Sequence, residues 1–284
     1  MRSRLAALLV VGLTTLASCD AHAETSVASV SSLESGIREQ MRALSSAPGP
    51  RLSFERLSHT HGLPASAYAD FVVVRTLFEA TRDAGFWNLG WTITNREPAS
   101  DAIWSQWAKV TQPSTLRPTA YAECDELSAL FALLVRRLGV RGVGLFWPAS
   151  NHTVAVWSTP GIQRPVRLVV PTTQILLSSA DMLGTVQFDP WRQKAIYEYS
   201  RSDIAPSSPL PDSLVGFFLR QMQHYASATD ETLQYIRYLR DGVFNAQFRA
   251  GQAALLARQR SKQVVGEVDR LALEQFAKDM EARP

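Results

Sequence analysis

The stretch from residue 124 to residue 170 constrains the fold more than any other part of this chain. It opens with a strongly apolar run, residues 124–134, whose length and composition are typical of a buried helix. Three β-rich runs follow, at residues 141–147, 152–157 and 166–170. The last two are separated by a short segment containing Pro160 and Gly161, which is typical of a hairpin turn. We therefore predict a fold of the α+β class in which this helix packs on an antiparallel sheet.

The first 23 residues have the three zones of a secretory signal: a charged start, an apolar stretch and then small residues. The apolar stretch is too short to span a bilayer. Residues 16–19 (Leu-Ala-Ser-Cys) resemble a bacterial lipobox, which would make a lipidated Cys19 the first mature residue. The small-x-small pattern of residues 21–23 (Ala-His-Ala) would instead direct cleavage before Glu24. Either site predicts an exported protein, in the periplasm or held on a membrane of a bacterial envelope through a lipid on Cys19.

Further helices are expected on both sides of the central unit. The sequence before it predicts helices at residues 33–44, 64–84 and 101–110. From Pro211 the chain reads as helix to its end, with apolar positions recurring every three or four residues after Asp230. Residues 24–32 are rich in small side chains, and we interpret them as a flexible tether. The predicted organisation is a signal at 1–23, a tether and helix at 24–50, the α+β domain at 51–205, and a helical C-terminal extension at 206–284.

Composition excludes some classes of function. Hydrophobic residues make up 46% of the chain, and its formal net charge is +3; removing the signal, with two arginines and one aspartate, leaves +2. So small and scattered a charge does not predict nucleic-acid binding, and no Gly-rich phosphate loop occurs. His59 and His61 lack a third candidate ligand, so we expect them in a surface loop and not at a metal. We expect no cofactor and no metal, and the oligomeric state stays open.

Cys124 is the strongest candidate for a reactive side chain. If Cys19 belongs to the signal, Cys124 is the only cysteine left in the mature chain, so it has no internal disulfide partner. It starts the predicted helix, where the dipole lowers a thiol's pKa and free N–H groups face a developing oxyanion. The alternative is a small buried apolar residue. That alternative fits less well at a helix start beside Asp125 and Glu126.

His152 opens the second β-rich run, 28 residues after Cys124. Strand alternation places it on one face with Val154 and Val156, which we expect to be the face toward the core. A neighbouring imidazole can hold a thiolate as an ion pair and then protonate a leaving amine. The two residues therefore predict a nucleophile and its base. Trp147 precedes His152 by five positions and is expected to line a substrate groove.

The order and spacing of these motifs resemble the transglutaminase-like superfamily of papain-like cysteine enzymes, which includes bacterial periplasmic proteinases. The resemblance rests on Cys124 at the start of a helix closing at residues 137–140 (Arg-Leu-Gly-Val), on His152 opening a strand, and on residues 171–173 (Pro-Thr-Thr) after the next strand. It covers about residues 104–175. It implies a papain-like, transglutaminase-like core, to which the α-helical C-terminal extension is added.

The chain departs from the family at the third catalytic residue. The family carries an Asp on the strand after the His, usually before Pro, whereas this chain has Val170 there. A hairpin centred on Pro160 and Gly161 would place Val170 opposite His152, so no carboxylate stands at the expected place.

Three explanations for this departure stay open. Asp189, which precedes Pro190, supplies the carboxylate after an insertion, and we favour it because it restores the Asp-Pro pairing. A neutral hydrogen bond to the imidazole from a nearby side chain is the second explanation, with three candidates: Thr172, Thr173 and Gln174. The third is a degenerate site that binds without catalysis.

The resemblance implies an exported cysteine enzyme. Cys124 would attack a peptide or side-chain amide, and His152 would protonate the leaving amine. The acyl-enzyme would then pass to water, as in a protease or amidase, or to an amine, as in a transglutaminase; we expect hydrolysis. The substrate would be a protein or peptide of the cell envelope. The alternative is a degenerate envelope domain that keeps the fold and binds a protein partner.

Overall fold

A computed structural model describes residues 27–93, 99–150, 152–173, 182–244 and 267–281. Seven strands occur in these ranges: β1 Val27–Ser29, β2 Leu89–Trp91, β3 Ala120–Ala122, β4 Val143–Ala149, β5 His152–Thr159, β6 Val166–Val170 and β7 Pro209–Pro211. The α-helices of the same ranges are α1 Val30–Leu44, α2 Pro48–His61, α3 Tyr68–Thr81, α4 Asp101–Trp107, α5 Cys124–Arg137, α6 Asp212–Tyr225, α7 Asp230–Phe244 and α8 Glu267–Glu281. The expected signal, with Cys19 and Glu24, lies outside the described residues.

The centre of the fold is α5 packed on a three-stranded sheet. Strands β4, β5 and β6 are antiparallel and follow one another in the sheet in chain order. Helix α5 contacts β4 and β5 on one face of this sheet and α3 on its other side. Every residue of α5 from Cys124 to Val135 is buried, which explains why its sequence is apolar nearly all round. The fold is therefore mixed α/β with small sheets.

Both faces of the sheet are buried, by different neighbours. Leu145, Ala155 and Trp157 belong to the main core, together with the apolar side of α5. A smaller cluster forms on the opposite face from four residues: Phe146, Val154, Val156 and Val169. Phe188 and Ile196, from the chain after the sheet, pack on that second cluster. Because neighbouring residues of a strand point to opposite faces, each strand contributes to both clusters.

The N-terminal part differs from the sequence prediction. The expected tether at residues 24–32 is wrong in its described part, because β1 pairs with β7 and α1 begins at Val30. The helix α2 was not predicted, since its first turn contains Pro48 and Pro50. Proline is compatible with a first turn, whose N–H groups have no partner within the helix. Residues 59–61, expected in a loop, form the last turn of α2.

The C-terminal helices pack onto the rest of the chain. Helix α6 contacts α1, and α8 contacts both α6 and α7. The buried Arg75 of α3 reaches this region, where its Nε donates to Asp230 over 2.9 Å and its terminal nitrogens donate to the carbonyls of Ala226 and Ala228. Among the described residues, no helix combines the length and apolar character needed to cross a bilayer.

Candidate functional site

Cys124 is the first residue of α5, as its sequence predicts. The helix is closed at this end by a capping box, in which the Glu123 N–H donates to Glu126 Oε2 over 2.9 Å and the Glu123 side chain accepts from the Glu126 N–H. The Glu126 N–H also donates to Asp125 Oδ1 over 2.9 Å. First-turn N–H groups have no acceptor inside a helix. The N–H of Cys124 therefore has no acceptor within α5.

The Cys124 thiol is buried, with 5% of the residue exposed. Burial raises the thiol's pKa above its ordinary value, and the carboxylates of Asp125 and Glu123 raise it further. Hydrogen bonds from the backbone N–H groups of Thr153 and Asp125 oppose them but do not outweigh them. The prediction that the helix start lowers this pKa is wrong for this conformation, because loss of solvent and nearby carboxylates exceed the effect of the helix end. The resting thiol is protonated at neutral pH.

His152 is the first residue of β5 and is 2% exposed. Its ring lies 5.8 Å from that of Phe188, centroid to centroid. This places His152 on the face of the second cluster, not on the main-core face as expected. Neither ring nitrogen has a hydrogen-bond partner among the described residues. Burial lowers the imidazole pKa, so the ring is neutral at neutral pH.

The structure brings Cys124 and His152 to adjacent places without joining them. The thiol accepts a hydrogen bond from the N–H of Thr153, the residue that follows His152. The N–H that contacts the Cys124 sulfur thus belongs to the peptide that joins His152 to Thr153. No hydrogen bond links thiol and imidazole. The resting pair is neutral, so any reaction begins with proton transfer from sulfur to nitrogen.

Val170 does not lie opposite His152. It pairs with Ala155, because the turn between β5 and β6 is wider than a tight Pro160–Gly161 turn and Thr159 pairs with Val166. Continued at the same register, Thr173 is the residue level with His152. Thr173 is fully buried, and its hydroxyl has no hydrogen-bond partner among the described residues. Of the candidates for orienting the imidazole, Thr173 is the one that the register favours.

Asp189 is exposed and serves another contact. Its Oδ1 accepts from the N–H of Trp191 over 3.0 Å and caps a short 3-10 turn, Pro190–Arg192. The described structure does not place this carboxylate in hydrogen-bond contact with His152, whose nitrogens both lack a partner. Gln174, another candidate, lies outside the described residues.

Sequence reasoning missed a buried polar layer beneath Cys124. The Ser128 hydroxyl lies 2.7 Å from the carbonyl oxygen of Cys124, 3.3 Å from that of Thr153 and 2.6 Å from Thr172 Oγ1. It therefore ties the first turn of α5 to the start of β5 and to the chain just after β6. The signal in the sequence is a serine four residues after the cysteine, on the same helix face, inside an otherwise apolar run.

Asp125 is the second unusual titratable group of the site. It is buried, and loss of solvent raises the pKa of its carboxyl to about 6, against the opposing hydrogen bond from the Glu126 N–H. Because Asp125 follows Cys124 directly, its ionisation controls the negative charge next to the sulfur. A protonated Asp125 favours the thiolate, and an ionised Asp125 disfavours it.

Trp147 lies where the pairing of β4 with β5 shifts between Phe146 and Ala149. Such bulges redirect side chains, and Trp147 is 39% exposed with its ring 6.0 Å from that of Tyr197. The expectation that it lines a groove stays a prediction. Within the described ranges, no three His, Cys, Asp or Glu side chains are grouped to hold a metal ion.

No family model matches this chain, and no match occurs among the curated proteins or the solved structures.

Proposed function

We propose that this chain is a cysteine enzyme similar to the transglutaminase-like class, acting on a peptide or side-chain amide through an acyl-enzyme. The observation that carries the proposal is the position of Cys124. It is the first residue of a buried helix, and its thiol contacts the peptide that follows His152. This arrangement places a nucleophile at a helix start, where the N–H has no acceptor within the helix, and places the residue that carries the base, His152, next to the peptide that the thiol contacts.

The reaction starts from the neutral pair. The His152 ring rests on the face of the second cluster, so it must first turn to the Cys124 side of β5. The thiol then transfers its proton to an unpartnered His152 nitrogen while sulfur bonds to the carbonyl carbon of the amide. The oxygen of the tetrahedral intermediate accepts from the Cys124 N–H. Collapse of the intermediate breaks the carbon–nitrogen bond, and His152 returns the proton to the leaving amine. Water attacks the thioester in the second half, losing its proton to His152 and releasing an acid and the thiol.

Hydrolysis is the proposed fate of the acyl group, with a protein or peptide of the cell envelope as substrate. Export rests on the zones of residues 1–23. Of the candidates for an orienting residue, the register supports Thr173, whose buried hydroxyl needs a partner. The Oδ1 of Asp189 is engaged with the Trp191 N–H.

A second candidate function is a degenerate domain that binds a protein partner in the envelope. The specific observation in its favour is the protonation state of the pair: the thiol pKa is raised and the imidazole pKa is lowered. Both shifts oppose a preformed thiolate–imidazolium pair. A domain without catalysis would keep Cys124 and His152 as ordinary buried side chains.

Acylation by 4-nitrophenyl acetate separates the two functions. The enzyme should release a burst of one nitrophenolate per chain and carry the acetyl group on Cys124, located by peptide mass spectrometry. Cys124→Ser should abolish the burst, and His152→Gln should slow it by about 100-fold, since general-base assistance contributes on the order of 10²–10⁴. Ser105→Ala, an exposed change in α4, is the control. An acetyl group found on a lysine in place of Cys124 would refute the enzyme proposal. A burst rate unchanged in His152→Gln would refute it as well.

A further inference from the structure

A cavity separate from the Cys124 site lies between α2, α3, α7 and the segment 182–186. Its volume is about 310 Å³. Six apolar side chains line it: Leu57, Phe71, Phe78, Met182, Leu183 and Val186. The site described above contributes none of its residues to this cavity, so the proposed function does not explain it.

The charged groups along its wall are engaged with one another. Arg75 donates to Asp230 over 2.9 Å, and Arg237 lies 3.4 Å from Glu79. Each of these four side chains is mostly buried. A third arginine of the wall, the half-exposed Arg56, pairs with Asp230 over 3.2 Å and with Glu231. Because each cationic group pairs with an anionic one, the wall does not select a charged ligand, and the apolar surface decides what enters.

Fixed contacts hold the cavity open at both ends. At one end Arg75 spans the gap between α3 and the start of α7, donating also to Ser53 Oγ over 3.1 Å. At the other end the Gly184 N–H donates to the Val169 carbonyl over 2.9 Å, and His61 is hydrogen bonded to the Gly184 backbone. The segment 182–186 is therefore tied to β6 and to α2, and these contacts keep it from closing onto the apolar side chains of α2 and α3.

Gly184 allows the segment 182–186 to lie this close to α2. Its φ of +79° lies in the left-handed region, and a Cβ there would come within 2.6 Å of Leu57 Cδ1. The close approach of the backbone to α2 thus depends on glycine. A cavity that is preformed, apolar and larger than about 300 Å³ has the usual dimensions of a small-molecule site.

We propose that this cavity binds one linear, uncharged aliphatic chain, with the chain's polar end at the rim beside Thr60 and Thr185. At roughly 30 Å³ for a group the size of a water molecule or a methylene, the volume holds about ten such groups. The ligand class is therefore an alcohol, ester or amide of medium chain length. Paired charges in the wall leave a carboxylate head with no advantage over a hydroxyl.

Calorimetric titration of the full chain with hexanol, octanol, decanol and dodecanol tests this inference. Each buried methylene contributes about 0.8 kcal/mol, so affinity should rise about fourfold per carbon. The rise should stop near ten carbons, where the cavity is full. Affinity without chain-length dependence would overturn the proposal. Decanoate binding more than about tenfold tighter than decanol would overturn the inference that the polar end of the ligand is uncharged.

Filling variants locate the binding. Leu57→Trp in α2 and Leu183→Trp in the segment 182–186 should each weaken decanol binding by at least about tenfold. Leu52→Trp is the matched control, because Leu52 is half exposed on α2 and does not line the cavity. If Leu57→Trp does not fold, Leu183→Trp, which lies outside the helices, decides the result. Decanol affinity equal in Leu183→Trp and Leu52→Trp would place the ligand elsewhere and overturn the site.

Discussion

Ser128→Ala should both destabilise the fold and slow acylation of Cys124. The buried Ser128 and Thr172 hydroxyls each have one proton to donate to the hydrogen bonds around the Cys124 carbonyl. With Ser128 donating to the Cys124 carbonyl over 2.7 Å, the Thr172 hydroxyl donates to Ser128 over 2.6 Å. Alanine removes both bonds and leaves Thr172 with only a 3.4 Å contact to the same carbonyl.

The magnitude follows from these two bonds. A net intramolecular hydrogen bond contributes about 1 kcal/mol, and a buried hydroxyl left without a partner costs on the order of 1–3 kcal/mol. The free energy of unfolding should therefore fall by about 2–3 kcal/mol in Ser128→Ala. Thr172→Val removes the orphaned hydroxyl, so the double variant should recover about 1 kcal/mol relative to additivity.

Urea unfolding measured by far-UV circular dichroism gives the free energies, and the nitrophenyl acetate burst gives the acylation rate. Ser105→Ala, on an exposed face, should change stability by less than about 0.5 kcal/mol. A Ser128→Ala loss no larger than this control would refute the reasoning. An unchanged burst rate would show that the layer supports the fold but does not position Cys124.

Two further predictions concern charge. Arg75→Met should lower the free energy of unfolding by about 3–5 kcal/mol, because it leaves buried carbonyls and Asp230 without their main donor; Arg270→Met, from a half-exposed pair with Glu274, should cost less than about 1 kcal/mol in the same urea experiment. Asp125 has its pKa raised from 3.8 to about 6, so the folded state binds this proton more tightly than the unfolded state. The contribution of this proton to the free energy of unfolding is fully present below pH 3.8 and is lost as the pH rises toward 6. Asp125→Asn should flatten that part of the stability profile, and an unchanged profile would contradict the burial of this carboxyl.

The central helix and sheet were predictable because their sequence signals are local. Twelve consecutive residues of α5, from Cys124 to Val135, are buried. A segment with no solvent-facing side is mostly apolar, and its polar members here, Asp125, Glu126 and Ser128, are hydrogen bonded in the first turns. The two hairpin strands likewise need alternating or continuous apolar side chains. The positions of Cys124 at a helix start and of His152 at a strand start therefore follow from the amino-acid pattern alone.

Register and electrostatics were not predictable in the same way. The pairing of Val170 with Ala155 depends on how many residues the turn absorbs, and that depends on packing around the turn. The Cys124 pKa is set by burial and by carboxylates whose positions follow from the tertiary fold. Helix α2 was missed because prolines in a first turn carry the same local signal as prolines in a loop.

The pH dependence of Cys124 alkylation by iodoacetamide tests most directly whether Cys124 and His152 act as one unit. Because the thiol pKa is raised and the imidazole pKa is lowered, little thiolate forms near neutral pH unless His152 takes the thiol proton, and the share of that ion pair does not vary with pH while the pair holds one proton. Wild type should react faster than His152→Ala near pH 7 and with a shallower rise with pH, whereas His152→Ala should show a rate that rises about tenfold per pH unit. A wild-type rate that rises in the same way and is unaffected by His152→Ala would contradict the account.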